Sequence, residues 1–193
     1  MRIGIYSGSF NPVHLGHVAL ADHLVACGIV DEVWLVRSPL NPLKHADGLM
    51  PDDVRLRLLQ LAVEGHPGLR VSTVEDDLPR PNYSVNTLCR LRDEFPQHEF
   101  SLIIGADNWL IFDRWKSWRT IVDEFHVIVY PRPGYECPVV GRDEFPNVVV
   151  VADAPQFDVS STQIRQLLAS GSSLAGLVDP RVASALGGIV PTD

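Results

Sequence analysis

The chain has 193 residues, 46% of them hydrophobic, which is enough to bury the core of one sizeable domain and too little for two. A formal net charge of −8 argues against nucleic acid as the main partner, because that binding rests on clustered Lys and Arg against phosphates. No apolar run approaches the ~20 residues that cross a bilayer, and no charged-then-apolar leader precedes the first strand. Cys27, Cys89 and Cys137 are odd in number and far apart. Neither a disulfide framework nor a zinc spacing results, so the expected setting is the reducing cytoplasm, away from membranes.

Residues 3–6 form an apolar run with β-branched and aromatic members, which reads as a buried first strand. Gly8-Ser9-Phe10-Asn11-Pro12-Val13-His14-Leu15-Gly16-His17 follows, and then a helical pattern with Val18, Ala21, Leu24 and Val25 on one face. The stretch is therefore a strand-to-helix turn, where a parallel sheet places ligands beside a helix N-terminus. Gly8 permits close backbone approach and Pro12 stiffens the loop. His14 and His17, three apart, fall in the first helical turn, and two donors beside an anion hole describe a phosphate site. The same pair could hold a metal, but no third ligand is arranged with it, so no resident metal is expected. The Lys of a phosphate loop and the Gly-x-Gly-x-x-Gly dinucleotide fingerprint are both absent.

Residues 32–36 read as the second strand, and a Pro-rich loop then carries Lys44 and His45. Asp52 and Asp53 open a helix with Val54, Leu58, Leu59 and Ala62 inward and Arg57, Gln60 and Glu64 as its polar stripe. Gly65 and Pro67 end it, and residues 69–74 read as the third strand. Residues 75–83 read as a polar loop, and Ser84 is the expected N-cap of a helix burying Val85, Leu88, Leu91 and Phe95. That N-terminus, just after Tyr83, is a second candidate anion site.

Residues 100–104 read as a central buried strand, which places Asp107 in the crevice beyond its C-terminal end. In the aromatic run that follows, Trp115 is flanked by charges and is the one placed at a pocket. Strands are expected at 127–130 and 148–151, with Arg132 the single basic group in the turn between them. Ser160 with Gln163 fits a capping box, and Thr162 and Arg165 share a face near that helix start. Hydroxyls, amides and a guanidinium together suit a triphosphate. Strands and helices alternate up to about residue 169, the pattern of a parallel sheet flanked by helices. Beyond Gly171 only short helices are expected, the last opened by Asp179-Pro180.

Several motifs agree in order and spacing: the 8–17 stretch, Pro-Asn-Tyr-Ser-x-x-Thr-Leu, Ile-Ile-Gly-Ala-Asp, Arg-Pro-Gly-Tyr and Ser-Ser-Thr-x-Ile-Arg. Together they resemble the bacterial nicotinate-nucleotide adenylyltransferases of the (His/Thr)-x-Gly-His nucleotidyltransferase superfamily, over residues 2–168. The resemblance implies an α/β fold, a doubly wound, mostly parallel sheet with helices on both faces. It also implies one nucleotidyltransferase domain, with an α/β core in residues 1–169 and a short helical extension in 170–193. The implied reaction joins Mg²⁺-ATP to nicotinate mononucleotide, releasing pyrophosphate and forming deamido-NAD. By the same resemblance, His14, His17 and Arg165 are the catalytic residues. Gly8, Ser9, Phe10, Asp107, Ser160 and Thr162 join them around ATP, while Lys44, Tyr83, Ser84 and Trp115 receive the mononucleotide. One departure is Asn41-Pro42-Leu43-Lys44, where the family commonly has Pro-Pro-His-Lys. A sister transferase using phosphopantetheine, another mononucleotide or a cytidylyl donor is the first alternative. A nucleotide-sensing module without turnover is the second, opposed by the intact His14, His17 and Arg165. A homo-oligomer stays open.

Overall fold

Among the described residues six strands, all parallel, form one sheet in the order β3-β2-β1-β4-β5-β6. They are β1 (Arg2–Gly8), β2 (Glu32–Arg37), β3 (Leu69–Ser72), β4 (Glu99–Gly105), β5 (His126–Tyr130) and β6 (Val148–Val150). The computed structural model describes residues 1–39, 48–136 and 144–188. The helices are α1 (Leu15–Ala26), α2 (Asp52–Val63), α3 (Ser84–Glu94), the single turn α4 (Ala106–Trp109), α5 (Trp118–Glu124), α6 (Ser161–Ala169) and α7 (Pro180–Gly187). Among the described residues no helix is long and apolar enough to cross a membrane.

The period-2 alternation of each strand feeds two cores. Tyr6, Val33, Leu35, Ile103 and Ile128 join one cluster, with Leu24 of α1, Leu58 and Leu59 of α2, Ile164 of α6 and Val182 of α7. Ile5, Trp34, Val36, Leu102, Ile104 and Val127 join the other, with Leu88 and Leu91 of α3 and Ile121 of α5. A sheet buried on both faces needs apolar residues at both parities, which is why β1, β2 and β4 read as unbroken apolar runs. Each fully buried aliphatic side chain contributes roughly 1.5–3 kcal/mol, so the two layers together dominate stability.

Successive strands step outward from β1 to β2 and β3, and the chain then returns to β4 on the other side of β1. That reversal opens a crevice beyond the C-terminal ends of β1 and β4, the point where open α/β sheets take ligands. The third strand stops at Ser72, and a 3-10 turn over Val74–Asp77 takes the place of a plain loop. The α3 N-cap is Tyr83 rather than Ser84, which is the first helical residue, and no side chain caps this end.

Candidate active site

The turn after β1 is built around a buried ring. Phe10 adopts a left-handed φ of 42°, unfavourable for a residue with a Cβ, and burial of its ring beneath the loop holds it there. A Cβ on Gly8 would lie 3.2–3.4 Å from that ring, so glycine is required for it to seat. The Phe10 side chain is thus core, in edge contact with Tyr6 and with His17 at 5.1 Å, and only its backbone faces the loop surface. Asn11 locks the loop from the other side, donating to Gly48 O at 2.9 Å and accepting from Met50 N–H at 2.9 Å.

His14 is the N-cap of α1, and its ring stacks on that of His17 with centroids 3.6 Å apart and planes 25° from parallel. The His14 backbone N–H donates to His17 Nδ1 at 3.2 Å. Because Nδ1 is an acceptor there, the neutral His17 ring carries its proton on Nε2, as a donor. His14 is 7% exposed and its Nδ1 is buried without a hydrogen-bond partner. Burial, reinforced by the positive charge of Arg132, pulls its pKa from 6.5 to about 4, so it is neutral at pH 7. A Cβ on Gly16 would come 3.1 Å from His14 Nδ1, so that glycine clears space for the imidazole. The helix end is less open than its sequence implies: Leu15 N–H donates to Leu177 O at 2.9 Å, leaving fewer amides for an anion.

Residues from far along the chain bolt onto this turn. Arg165 donates from Nη1 to Asn11 O at 2.8 Å and from Nη2 to Thr162 Oγ1 at 3.2 Å, and Ser161 Oγ donates to Pro12 O at 2.8 Å. Ser160 caps α6 by accepting from Gln163 N–H at 3.2 Å. The N-terminus of α6 is thereby tied to the turn before α1 through Asn11 and Pro12, with Arg165 and Thr162 joined beside it. Asp107 sits in α4 immediately beyond β4, with Oδ1 3.5 Å from Arg132 Nε. A Cβ on Gly105 would strike Asp107 Oδ1 at 2.3 Å, which explains the glycine two residues before it.

A cavity of about 220 Å³ is lined by Tyr6, Ser7, Gly8 and Ser38 at the strand ends and by Tyr83, Ser84 and Trp115, and the Tyr6 ring links it to His17 at 5.9 Å between centroids. Tyr6 and Tyr130 share a hydrogen bond of 3.2 Å at its floor, and burial pushes both phenols up, so they stay protonated. Trp115 Nε1 is buried without a partner, and the Lys116 ammonium lies 4.6 Å from the Tyr83 ring centroid. Tyr83, Ser84 and Trp115, which the resemblance assigns to the mononucleotide, thus share one cavity with Gly8, whereas Ser9, Phe10, His14, His17, Asp107, Ser160, Thr162 and Arg165 lie outside its lining, and His14 lines a separate cavity with Asp22, His66 and Phe157. Lys44 falls outside the described residues.

Sequence reasoning missed the buried polar frame beneath this cavity. Glu75, placed by sequence in a polar loop, is 3% exposed, and its carboxylate accepts from Ser7, Ser38 and Thr87 (3.1 Å for Thr87). Arg37 is buried between Asp52 at 3.0 Å and Asp76. Arg55, fully buried in α2, donates to the carbonyls of Ser9, Ser38 (2.8 Å) and Pro39 (3.3 Å), pinning the ends of β1 and β2 together. Nothing in the helical pattern of α2 separates Arg55 from the exposed Arg57, because three of its acceptors are carbonyls just beyond the ends of β1 and β2.

A crevice at the switch point of a parallel sheet, beside a helix N-terminus, is where open α/β folds take their ligands. Residues 5–167 match the cytidylyltransferase-like family model, and the chain belongs to that family. Within it the chain is 50% identical over 181 residues, covering 94% of this chain and 89% of the relative, to a protein of Bacteroides fragilis named probable nicotinate-nucleotide adenylyltransferase. A protein of the same name from Porphyromonas gingivalis is 42% identical over 175 residues, covering 90% and 87%. Among solved structures, Plasmodium falciparum nicotinic acid mononucleotide adenylyltransferase complexed with NaAD superposes with a TM-score of 0.78 at 15% identity, over 97% of this chain and 95% of that one. A putative nicotinate-nucleotide adenylyltransferase from Vibrio parahaemolyticus gives 0.72 at 20% identity, over 97% and 92%. These two likenesses establish the fold.

Proposed function

We infer that this protein transfers the AMP moiety of ATP to nicotinate mononucleotide, forming nicotinate adenine dinucleotide and pyrophosphate, a step of NAD biosynthesis. The observation that carries the reading is the His14–His17 stack at the α1 N-terminus, joined through the Tyr6 ring to a cavity edged by the α3 N-terminus and Trp115. The names of the relatives, at up to 50% identity, point the same way.

The acceptor phosphate already carries an anionic oxygen, so attack on the α-phosphorus of ATP needs no general base and no covalent intermediate. The protein's work is alignment and charge stabilisation. His17 offers Nε2–H to a phosphate oxygen, and the neutral His14 ring, stacked on it, keeps that donor oriented. Arg165, with its fork set by Asn11 O and Thr162, faces the developing charge on the leaving pyrophosphate. Asp107 is placed to accept from a ribose hydroxyl beyond β4. Mg²⁺ belongs to this reading as part of the Mg-ATP substrate, whose phosphates offer the hard oxygens it takes. Among the described residues no three His, Cys, Asp or Glu side chains lie together as a metal site.

The first two amides of α3 have no intrahelical acceptor and, with the helix dipole, favour a carboxylate on the ligand. A carboxamide would set its own NH₂ against those donors. Two hydrogen bonds to a charged group, at about 1.5–3 kcal/mol each, make the acid preferred by on the order of 10²–10⁴, less its desolvation cost. The test is pyrophosphate release with nicotinate and nicotinamide mononucleotides at equal Mg-ATP. Equal kcat/KM, or preference for the amide, would overturn the assignment of Tyr83 and Ser84. ATP binding without pyrophosphate release, over a panel of phosphorylated acceptors, would indicate a binding module instead.

A further inference from the structure

The lining of the cavity carries both acceptors and donors. Ser7, Ser38 and Thr87 each spend their single hydroxyl proton on the Glu75 carboxylate, so Ser7 and Ser38 are left as acceptors in the lining. Asn82 adds another acceptor: its Nδ2 donates to Glu75 O at 2.8 Å, and its Oδ1 is buried without a partner. The donors are the first amides of α3, Trp115 Nε1 and the Lys116 ammonium. The buried guanidinium of Arg37 is engaged by Asp52 and Asp76. Glu75 thus lines the cavity with no cation paired to its carboxylate among the bonds described.

A buried carboxylate held by three hydroxyls is costly unless something makes use of its charge. A pyridine mononucleotide with an acid substituent is a zwitterion in its ring: the N-glycosidic nitrogen makes the pyridinium permanently positive, and the carboxylate is negative. We propose that Glu75 is the counter-charge that selects this cationic ring, so that the cavity reads the acceptor as a zwitterion: its carboxylate on the α3 amides and Trp115 Nε1, its pyridinium toward the Glu75 carboxylate. The proposal rests on the pyridine-mononucleotide reading above and adds a specificity-determining residue to it. Helix amides alone would accept any carboxylate of suitable shape, whereas Glu75 discriminates by ring charge.

The test compares nicotinate mononucleotide with its 1,4-dihydro form, which has the same carboxylate, ribose and phosphate but a neutral ring. In the wild type, kcat/KM should favour the pyridinium form by about tenfold or more, the scale of one partly screened charge pair across a few ångströms. Glu75→Gln, nearly isosteric and uncharged, should bring that ratio close to one while KM for ATP stays within about twofold. A variant that loses equal activity on both forms would show a purely structural Glu75 and overturn the proposal. So would a wild-type ratio near one, a measurement that does not depend on any variant folding. If the wild type releases pyrophosphate with neither form, the functional reading itself fails and takes this inference with it. If it uses both equally, only the inference fails.

Discussion

Acidification should unfold this protein partly through His14. The folded state holds its pKa near 4, against 6.5 for an exposed imidazole. Between those values the unfolded chain binds a proton that the folded chain refuses, so stability falls as pH falls through that window and is fully present above it. At about 1.4 kcal/mol per pH unit, the whole gap amounts to about 3 kcal/mol, and the part lost by pH 5 to about 2 kcal/mol. Against a total of about 5–15 kcal/mol, that is a large fraction. His14→Gln keeps a planar, hydrogen-bonding side chain of similar reach and removes the titration. Urea unfolding of both proteins at pH 7 and pH 5 isolates the effect, because carboxylate losses common to both cancel. The wild type should lose about 2 kcal/mol more than the variant over that interval. Parallel losses would mean that burial and Arg132 do not hold His14 neutral, and the orientation argument built on its neutral ring would fall with it.

His17→Ala should lower kcat by about 10²–10³ with a much smaller change in ATP affinity, since one preorganised donor to developing charge is worth roughly 2.7–4 kcal/mol; activity within threefold of wild type would remove His17 from the chemistry. Arg165→Lys should fail to restore function, because an ammonium cannot hold Asn11 O and Thr162 while gripping phosphate in fixed geometry. Near-normal kcat/KM for ATP would reduce Arg165 to a source of positive potential. Gly16→Ala should cut kcat by about tenfold at a stability cost of about 1–3 kcal/mol, because the new Cβ meets both His14 Nδ1 and Phe157 Cβ at 3.1 Å; unchanged kcat would show that the ring stack tolerates displacement.

Local pattern carried much of the architecture. Alternation of strands and helices, the caps at Ser160 and Asp179, and the strand-to-helix turn after β1 were all legible, because each depends on residues within a few positions of one another. The histidine pair was legible for the same reason: i and i+3 on a helix start can only be neighbours. Tyr83, Ser84 and Trp115 do line one cavity, the first two at the start of α3 and Trp115 just after a 3-10 turn. What the sequence missed lies mostly where a residue's partners are far away in sequence. Glu75 was read within a polar loop, and the burial of Arg55 leaves no local signal.

The sequence by itself determined the order of elements, the parallel sheet and the chemistry of the first turn, because hydrophobic period and backbone sterics act over short spans. Only the tertiary structure decided which polar groups are buried and what they are charged against. Ser7, Ser38 and Thr87 converge on Glu75 from β1, the end of β2 and α3, and Arg165 reaches Asn11 across 154 positions. The protonation of His14 was decided there too, since it depends on burial and on Arg132 beyond β5. Desolvation and Coulomb interactions depend on distance in space, and distance along the chain does not report it.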